Sequence, residues 1–194
     1  LHENIKYGAR KNVSWIRITF KVYQLWENRR YCSKNDEKML CVGPAFMPTA
    51  AIIDYKLTLS VPKRTTADTA IDSLTHAIEA YISKKANLFS DTQAISAMQL
   101  ITPNLRKAYN DGNDEKAREK LMIGSTLAGL AFSNSSVALV HGMSRPIGAF
   151  YHVPHGLSNA IFMPYVLNFN KDVIEDRIIS LSKYLDLNKK SFAG

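Results

Sequence analysis

Residues 65–83, TTADTAIDSLTHAIEAYIS, decide the fold of this chain. Large apolar side chains recur there every three or four residues, at Ile71, Leu74, Ile78, Tyr81 and Ile82. This spacing predicts one amphipathic α-helix with an apolar face. Thr66 or Asp68 is placed to cap its start, because a short polar side chain there can accept a hydrogen bond from a free backbone N–H.

The opposite face of this predicted helix carries an acid and an imidazole. Asp72 and His76 are four residues apart, which places them about 40° apart around the helix axis. Glu79 falls near the same face. The pair could bind one metal ion together. The same spacing is also found in hydrogen-bonded surface histidines, so by itself it leaves both interpretations open.

Three further histidines lie in one motif, HGMSRPIGAFYHVPHG, residues 141–156. Glycine follows both His141 and His155, so we expect the backbone to approach a neighbour closely at these two points. If Asp72 and the imidazoles converge, the set suits Fe(II) or Zn(II) and is too rich in nitrogen for Mg²⁺ or Ca²⁺. The alternative is a group of packed histidines with hydrogen-bonded rings.

The segments around this core predict a mainly α protein. Residues 39–55 alternate apolar runs with Gly43, Pro44 and Pro48, which predicts two short strands, the second of them buried at residues 50–53. Helical periodicity begins after Pro62. Further helices are predicted from Ser90 to Tyr109 with a kink or split at Pro103, from Asp114 to Phe132 with small residues for close packing, over 137–150, from Pro154 to Phe162 and from Lys171 to Tyr184.

Composition excludes several classes of function. The formal charge of +8 suggests a nucleic-acid partner, but residues 1–38 carry nine Lys or Arg against four Asp or Glu, and that segment has no nucleic-acid-binding motif. We therefore expect no nucleic-acid partner. We also expect no membrane partner, since no apolar run is long enough to span a membrane. Cys32 and Cys41 are expected to be free thiols, and the default location is cytoplasmic.

Four stretches resemble the iron-containing (group III) alcohol dehydrogenases over about residues 38–170. They are KMLCVGPAFMPTAAIIDYKLTLSVP (38–62), TADTAIDSLTHAIEAY (66–81), AGLAFSN (128–134) and LVHGMSRPIGAFYHVPHGLSNAIFMPYVLNFN (139–170). The resemblance implies the helical metal-binding domain of the iron-dependent alcohol dehydrogenase and dehydroquinate synthase-like fold, preceded by a short remnant of an α/β cofactor domain. It implies an Fe(II) site, with Zn(II) as the other candidate.

By motif match, the family's metal ligands fall on Asp72, His76, His141 and His155, and its cofactor-side lysine falls on Lys38. The implied reaction interconverts a small alcohol and an aldehyde or ketone by hydride transfer with NAD or NADP, the metal polarising the substrate oxygen. The resemblance transfers no side chain as a proton donor or acceptor, so the catalytic residues are unknown. A homo-oligomer is left open.

Three departures from the family pattern shape the predicted domains. Arg145 stands where many members have a histidine, Ala70 replaces a glycine, and residues 1–36 lack the glycine-rich loops that bind pyrophosphate. We predict a partial or disrupted cofactor region over 1–62 and a metal-binding catalytic domain over 63–194, C-terminally incomplete. The alternative function is a catalytically inactive metal-binding fragment without a cofactor site.

Overall fold

Four short strands precede the helices among the residues that the structure describes. The computed structural model describes residues 16–18, 29–34, 37–42 and 50–187, with side chains from residue 51 onward. Strand β1 (Ile16–Ile18) pairs in parallel with β4 (Ala50–Ile52), and β2 (Arg29–Lys34) pairs antiparallel with β3 (Glu37–Val42). The predicted strand at residues 50–53 is therefore present, but its predicted burial is wrong, because Ile52 and Ile53 are 47% and 39% exposed.

Five helices follow a short 3₁₀ helix at Tyr55–Thr58 in the described part of the chain. They are α1 (Lys63–Ile82), α2 (Leu88–Asn110), α3 (Glu115–Ser135), α4 (Leu139–Phe150) and α5 (His155–Tyr184). The predicted mainly α fold is confirmed. Side-chain caps explain two of the starts, since Asn87 forms a capping box with Ser90 before α2, and Asp114 accepts from Ala117 N at the start of α3.

The predicted cap of α1 is wrong. The helix begins at Lys63, directly after Pro62, and no side chain caps it. Thr66 instead lies inside the helix, where its hydroxyl accepts a 2.7 Å hydrogen bond from Arg118 Nη1. Asp68 accepts from the Nε of Arg64 one turn earlier. Pro62 is the residue before the helix, and its backbone oxygen accepts the first helical hydrogen bond from Thr66 N at 2.9 Å.

Two prolines lie inside helices of the structure, one where the sequence predicts a kink or split and one where it predicts two separate helices. Helix α2 passes through Pro103 without a break. Helix α5 passes through Pro164, so the two helices predicted between Pro154 and Tyr184 are one. A proline removes one backbone hydrogen bond, but residues 165–184 contain no glycine or further proline to end the helix. Helical hydrogen bonding therefore resumes after Pro164.

Helix α1 lies at the centre and contacts all four other helices. Its acidic face is buried even more completely than its apolar face: Asp72, His76 and Glu79 are at most 5% exposed, whereas Ile71 and Leu74 are only partly buried. The main apolar core includes residues of α1, α2, α3 and α5, and its largest members are Tyr81, Met98, Ile101, Phe132 and Leu181. A central helix with a polar face buried in this way requires partners for each polar group.

Small residues bring the helices close together. A Cβ at Gly124 of α3 would lie 2.7 Å from Ile101 Cγ1 of α2, which confirms the predicted close approach of a neighbouring helix there. In the described part of the chain no single helix is long and apolar enough to cross a membrane, although α3 and α4 taken together reach that length and composition with a 106° bend between them.

Candidate metal centre

Helix α1 supplies the first two side chains of the site. Asp72 and His76 lie one turn apart, as predicted, and both are buried, at 3% and 5% exposure. The Nδ1 of His76 is 2.8 Å from the backbone oxygen of Asp72 and 3.6 Å from its Oδ1. When Nδ1 donates its proton to that carbonyl, Nε2 is the nitrogen with a free lone pair.

His141 enters from α4 and is 1% exposed. It is the third residue of the helix, and its Nε2 lies 3.4 Å from Asp72 Oδ1. Its other ring nitrogen, Nδ1, lies 2.5 Å from Glu79 Oε2. His141 therefore stands between two carboxylates of α1, one on each side of its ring.

His155 enters from the first residue of α5. Its Nε2 is 3.5 Å from Asp72 Oδ1, and its side chain is 29% exposed, far more than that of His141. A Cβ on the next residue, Gly156, would lie 1.9 Å from the backbone oxygen of Asp68 in α1. The predicted close approach is thus confirmed at Gly156, where it seats His155 beside α1. It is wrong at Gly142, where a Cβ would meet no atom within 4 Å.

Three potential ligand atoms converge on one point. Asp72, His141 and His155 each offer one atom, and these atoms all lie within 4.8 Å of one another. The amide Nδ2 of Asn159 lies among them, 2.8 Å from Asp72 Oδ1 and 3.4 Å from the Nε2 atoms of both histidines. An electropositive N–H group thus faces three electron-pair donors, which is the arrangement that a cation would also favour.

The donor set fits a divalent transition metal. One carboxylate and two imidazoles suit Fe(II) or Zn(II). The Oδ1 of Asn159 is buried without a hydrogen-bond partner among the described residues, an unusual cost for a buried amide. Because Asn159 makes its contacts inside the site and leaves Oδ1 unsatisfied, its side chain can give way to an ion without losing other hydrogen bonds to the described residues.

His76 lies beside this group of three. Its ring stacks on Phe132 with centroids 4.2 Å apart, and it lies 4.1 Å from the ring of His141. It is not in the group whose atoms meet within 4.8 Å among the described residues. The assignment of Asp72, His76, His141 and His155 as four ligands of one ion stays a prediction.

The surroundings of Asp72 and His76 keep both side chains in the protonation state that binds a metal ion. Burial would raise the pKa of Asp72, but the surrounding histidines, His76 first and then His141, hold it well below its usual range, so the carboxylate is ionised at neutral pH. Burial lowers the pKa of His76 to about 3, so its ring is neutral. Burial would also lower the pKa of His141, but hydrogen bonds to Asp72 and Glu79 raise it instead. A metal at His141 would therefore compete with a proton.

The structure separates the remaining candidates from this group. His152 lies between α4 and α5 with a positive φ of 52° and is exposed, so it does not join the other histidines of its motif. Arg145 is half-buried in α4. Lys38 lies in β3 opposite Ser33, and the predicted contact of its side chain with a cofactor lies outside the described residues.

Two residues of the site were missed as functional groups by sequence reasoning. Glu79 is on the predicted face of α1, but its partner is 62 positions away. Asn159 follows His155 by four residues, the same one-turn spacing that links Asp72 to His76. That spacing was the available signal for Asn159, because residues four apart share a helix face.

Comparisons with known proteins show which proteins this chain is similar to. Residues 66–193 match the family model for the C-terminal part of the Fe-containing alcohol dehydrogenase family. The chain is 46% identical over 138 residues to long-chain-alcohol dehydrogenase 1 of Geobacillus thermodenitrificans (strain NG80-2), covering 71% of this chain and 35% of that protein. It is 39% identical over 166 residues to 1,3-propanediol dehydrogenase of Citrobacter freundii, covering 84% of this chain and 43% of that protein.

A solved structure shares the fold. The iron-containing alcohol dehydrogenase from Thermococcus thioreducens superposes with a TM-score of 0.81 at 33% sequence identity, over 88% of this chain and 45% of that one. The chain thus spans less than half the length of each of these three proteins.

Proposed function

This chain belongs to the Fe-containing alcohol dehydrogenase family, and we propose that it supplies the metal-binding part of an oxidoreductase that interconverts alcohols with aldehydes or ketones. NAD or NADP would be the hydride carrier. Relatives are named for a long-chain alcohol and for 1,3-propanediol, so the proposal covers alcohols and aldehydes as a class and names no chain length.

We propose that Asp72, His76, His141 and His155 hold one divalent ion, Fe(II) or Zn(II). The observation that carries the proposal is the meeting of Asp72, His141 and His155 around the amide of Asn159. When bound, the ion would act as a Lewis acid on the substrate oxygen. Asp72 supplies a negative charge, His76 supplies a neutral ring next to it, and the partly exposed His155 marks the side from which substrate reaches the site.

The cofactor half of the proposal depends on residues before α1. We propose a division into a cofactor-binding region over 1–62, with Lys38 near the nicotinamide cofactor, and a metal-binding domain over 63–194. The competing function is a metal-binding chain without cofactor affinity. Titration of NADH or NADPH fluorescence separates the two, because only a cofactor-binding chain changes the emission in a saturable way.

Metal analysis of wild type beside His155→Ala tests the metal site. We expect close to one Fe or Zn per wild-type chain and a large loss of affinity in the variant, because one imidazole fewer leaves the coordination sphere open. The matched control is His152→Asn, since His152 belongs to the same motif but lies outside the group, and asparagine tolerates its positive φ. Full metal content in His155→Ala, or none in wild type, would remove the proposal.

A further inference from the structure

Glu79 is a fully buried carboxylate that lies outside the proposed ligand set. It is 0% exposed, on α1, and its hydrogen-bond partners among the described residues lie at the start of α4. Oε1 accepts from the backbone N–H of Val140 at 2.6 Å. Oε2 accepts from the backbone N–H of His141 at 3.4 Å and lies 2.5 Å from His141 Nδ1. A buried charge costs free energy unless it is paired or hydrogen-bonded, so the partners of Glu79 indicate its role.

The two backbone N–H partners explain how α4 starts. The residue before the helix, Ala138, has no side chain that can cap it. Glu79 accepts from two of the first N–H groups in place of that cap, and a negative charge is favourable at this end of a helix. The cap comes from another helix, so the carboxylate also attaches the start of α4 to α1.

The contact with the imidazole has a second consequence. A carboxylate only accepts hydrogen bonds, so the 2.5 Å contact of Glu79 with Nδ1 favours a proton on this nitrogen over one on Nε2, whose contacts with Asp72 Oδ1 and the Asn159 amide are both 3.4 Å. In the neutral ring, Nε2 then bears the lone pair, and this is the nitrogen that faces Asp72 at 3.4 Å. A carboxylate that orients a histidine in this way raises its basicity and fixes its ring for a metal.

We propose that Glu79 is a positioning residue of the metal centre: it holds His141 in the Nδ1–H tautomer and orients Nε2 toward the ion. The inference rests on the proposed metal-binding function. A residue that only capped α4 would need the two backbone N–H contacts, whereas the contact with Nδ1 acts on the ligand itself.

Glu79→Gln is the sharpest substitution, because glutamine has nearly the same volume. Its oxygen can still accept from Val140 N–H, but its NH₂ group then faces His141 and cannot accept from Nδ1. We expect the neutral ring to change to the Nε2–H tautomer. The affinity for Co(II) or Zn(II), measured by titration with a competing chelator, should fall by about 10-fold to 100-fold, and the visible spectrum of bound Co(II) should change.

The matched control is Asn87→Ala, which removes the side-chain cap of α2 without touching the site. It should lower the melting temperature yet leave the metal affinity, the cobalt spectrum and the histidine tautomer as in wild type. If Asn87→Ala weakens metal binding as much as Glu79→Gln does, the effect is general helix destabilisation and the inference is overturned.

The tautomer is also measurable in metal-free wild type by ¹⁵N NMR, at a pH where the His141 ring is neutral. A protonated Nδ1 is expected; a protonated Nε2 would overturn the inference even if no variant folds. Unchanged metal affinity and tautomer in Glu79→Gln would do the same. Wild type that binds no metal would refute the proposed function, while the NMR result would still decide the role of Glu79.

Discussion

Replacing Gly156 by alanine would place a methyl group against the backbone of α1. The new Cβ would lie 1.9 Å from the oxygen, 2.5 Å from the carbonyl carbon and 2.7 Å from the Cα of Asp68. Real Cβ contacts under 3.0 Å essentially never occur, so the two backbones would have to separate by about 1.1 Å, the difference between 3.0 Å and 1.9 Å. A backbone carbonyl inside a helix cannot rotate away, so the helices themselves must move.

This displacement acts on the proposed metal site. Asp68 lies one turn before Asp72 in α1, and Gly156 follows His155 in α5. A shift of about 1 Å between these helices is several times the roughly 0.2 Å tolerance of a metal–ligand distance. We expect Gly156→Ala to lose stability by about 1–3 kcal/mol from overpacking, and to lose metal affinity to a degree comparable with His155→Ala.

Gly142→Ala is the matched control, because Gly142 also follows a proposed ligand and also lies in the first turns of a helix. A Cβ there meets no atom within 4 Å. We expect this variant to bind metal as wild type does and to gain about 0.5–1 kcal/mol, since alanine favours a helix over glycine. Urea unfolding and metal titration measure both effects. Wild-type stability and wild-type metal affinity in Gly156→Ala would refute the reasoning.

Three further results are expected. In the metal-free protein, His76 takes up a proton in the unfolded state but not in the folded state between pH about 6.5 and about 3, so the free energy of unfolding should decrease as the pH falls through this window. Urea midpoints measured against pH for wild type and for His76→Gln isolate the effect. The same pH dependence in both proteins would contradict it. Gly124→Ala should destabilise by about 1–3 kcal/mol, because its Cβ would lie 2.7 Å from Ile101 Cγ1; an unchanged midpoint would count against this packing. Asp114→Ala should lose about 0.5–2 kcal/mol in urea unfolding by removing the bond to Ala117 N, with Asp114→Asn close to wild type, and equal loss in both would argue against capping.

Local pattern was sufficient for much of the helical domain. Periodicity predicted α1 and placed Asp72 and His76 on one face, and the polar residue Asp114 marked the start of α3. These features depend on residues within one or two turns of each other, so the sequence carries them directly. The resemblance to the family was carried by motifs of the same local kind.

Helix ends and continuity were less predictable. The sequence pattern predicts two helices on either side of Pro164, yet the structure has one continuous helix from His155 to Tyr184. Thr66 was expected to cap α1 but bonds to Arg118, which lies 52 positions away. At Thr66 a long-range hydrogen bond outweighed the local capping preference, which contributes less than a few kcal/mol per residue. At Pro164 the loss of one backbone hydrogen bond was not enough to end a helix whose following residues include no glycine or further proline.

The sequence by itself determined which residue types are available for the site and which of them share a helix face. Only the tertiary structure decided that Asp72, His141 and His155 meet, that His152 does not, and that Glu79 lies against the far nitrogen of His141. The physical reason is range. Helical periodicity is set by hydrogen bonds four residues apart, whereas the meeting of three helices depends on close contacts such as the one at Gly156.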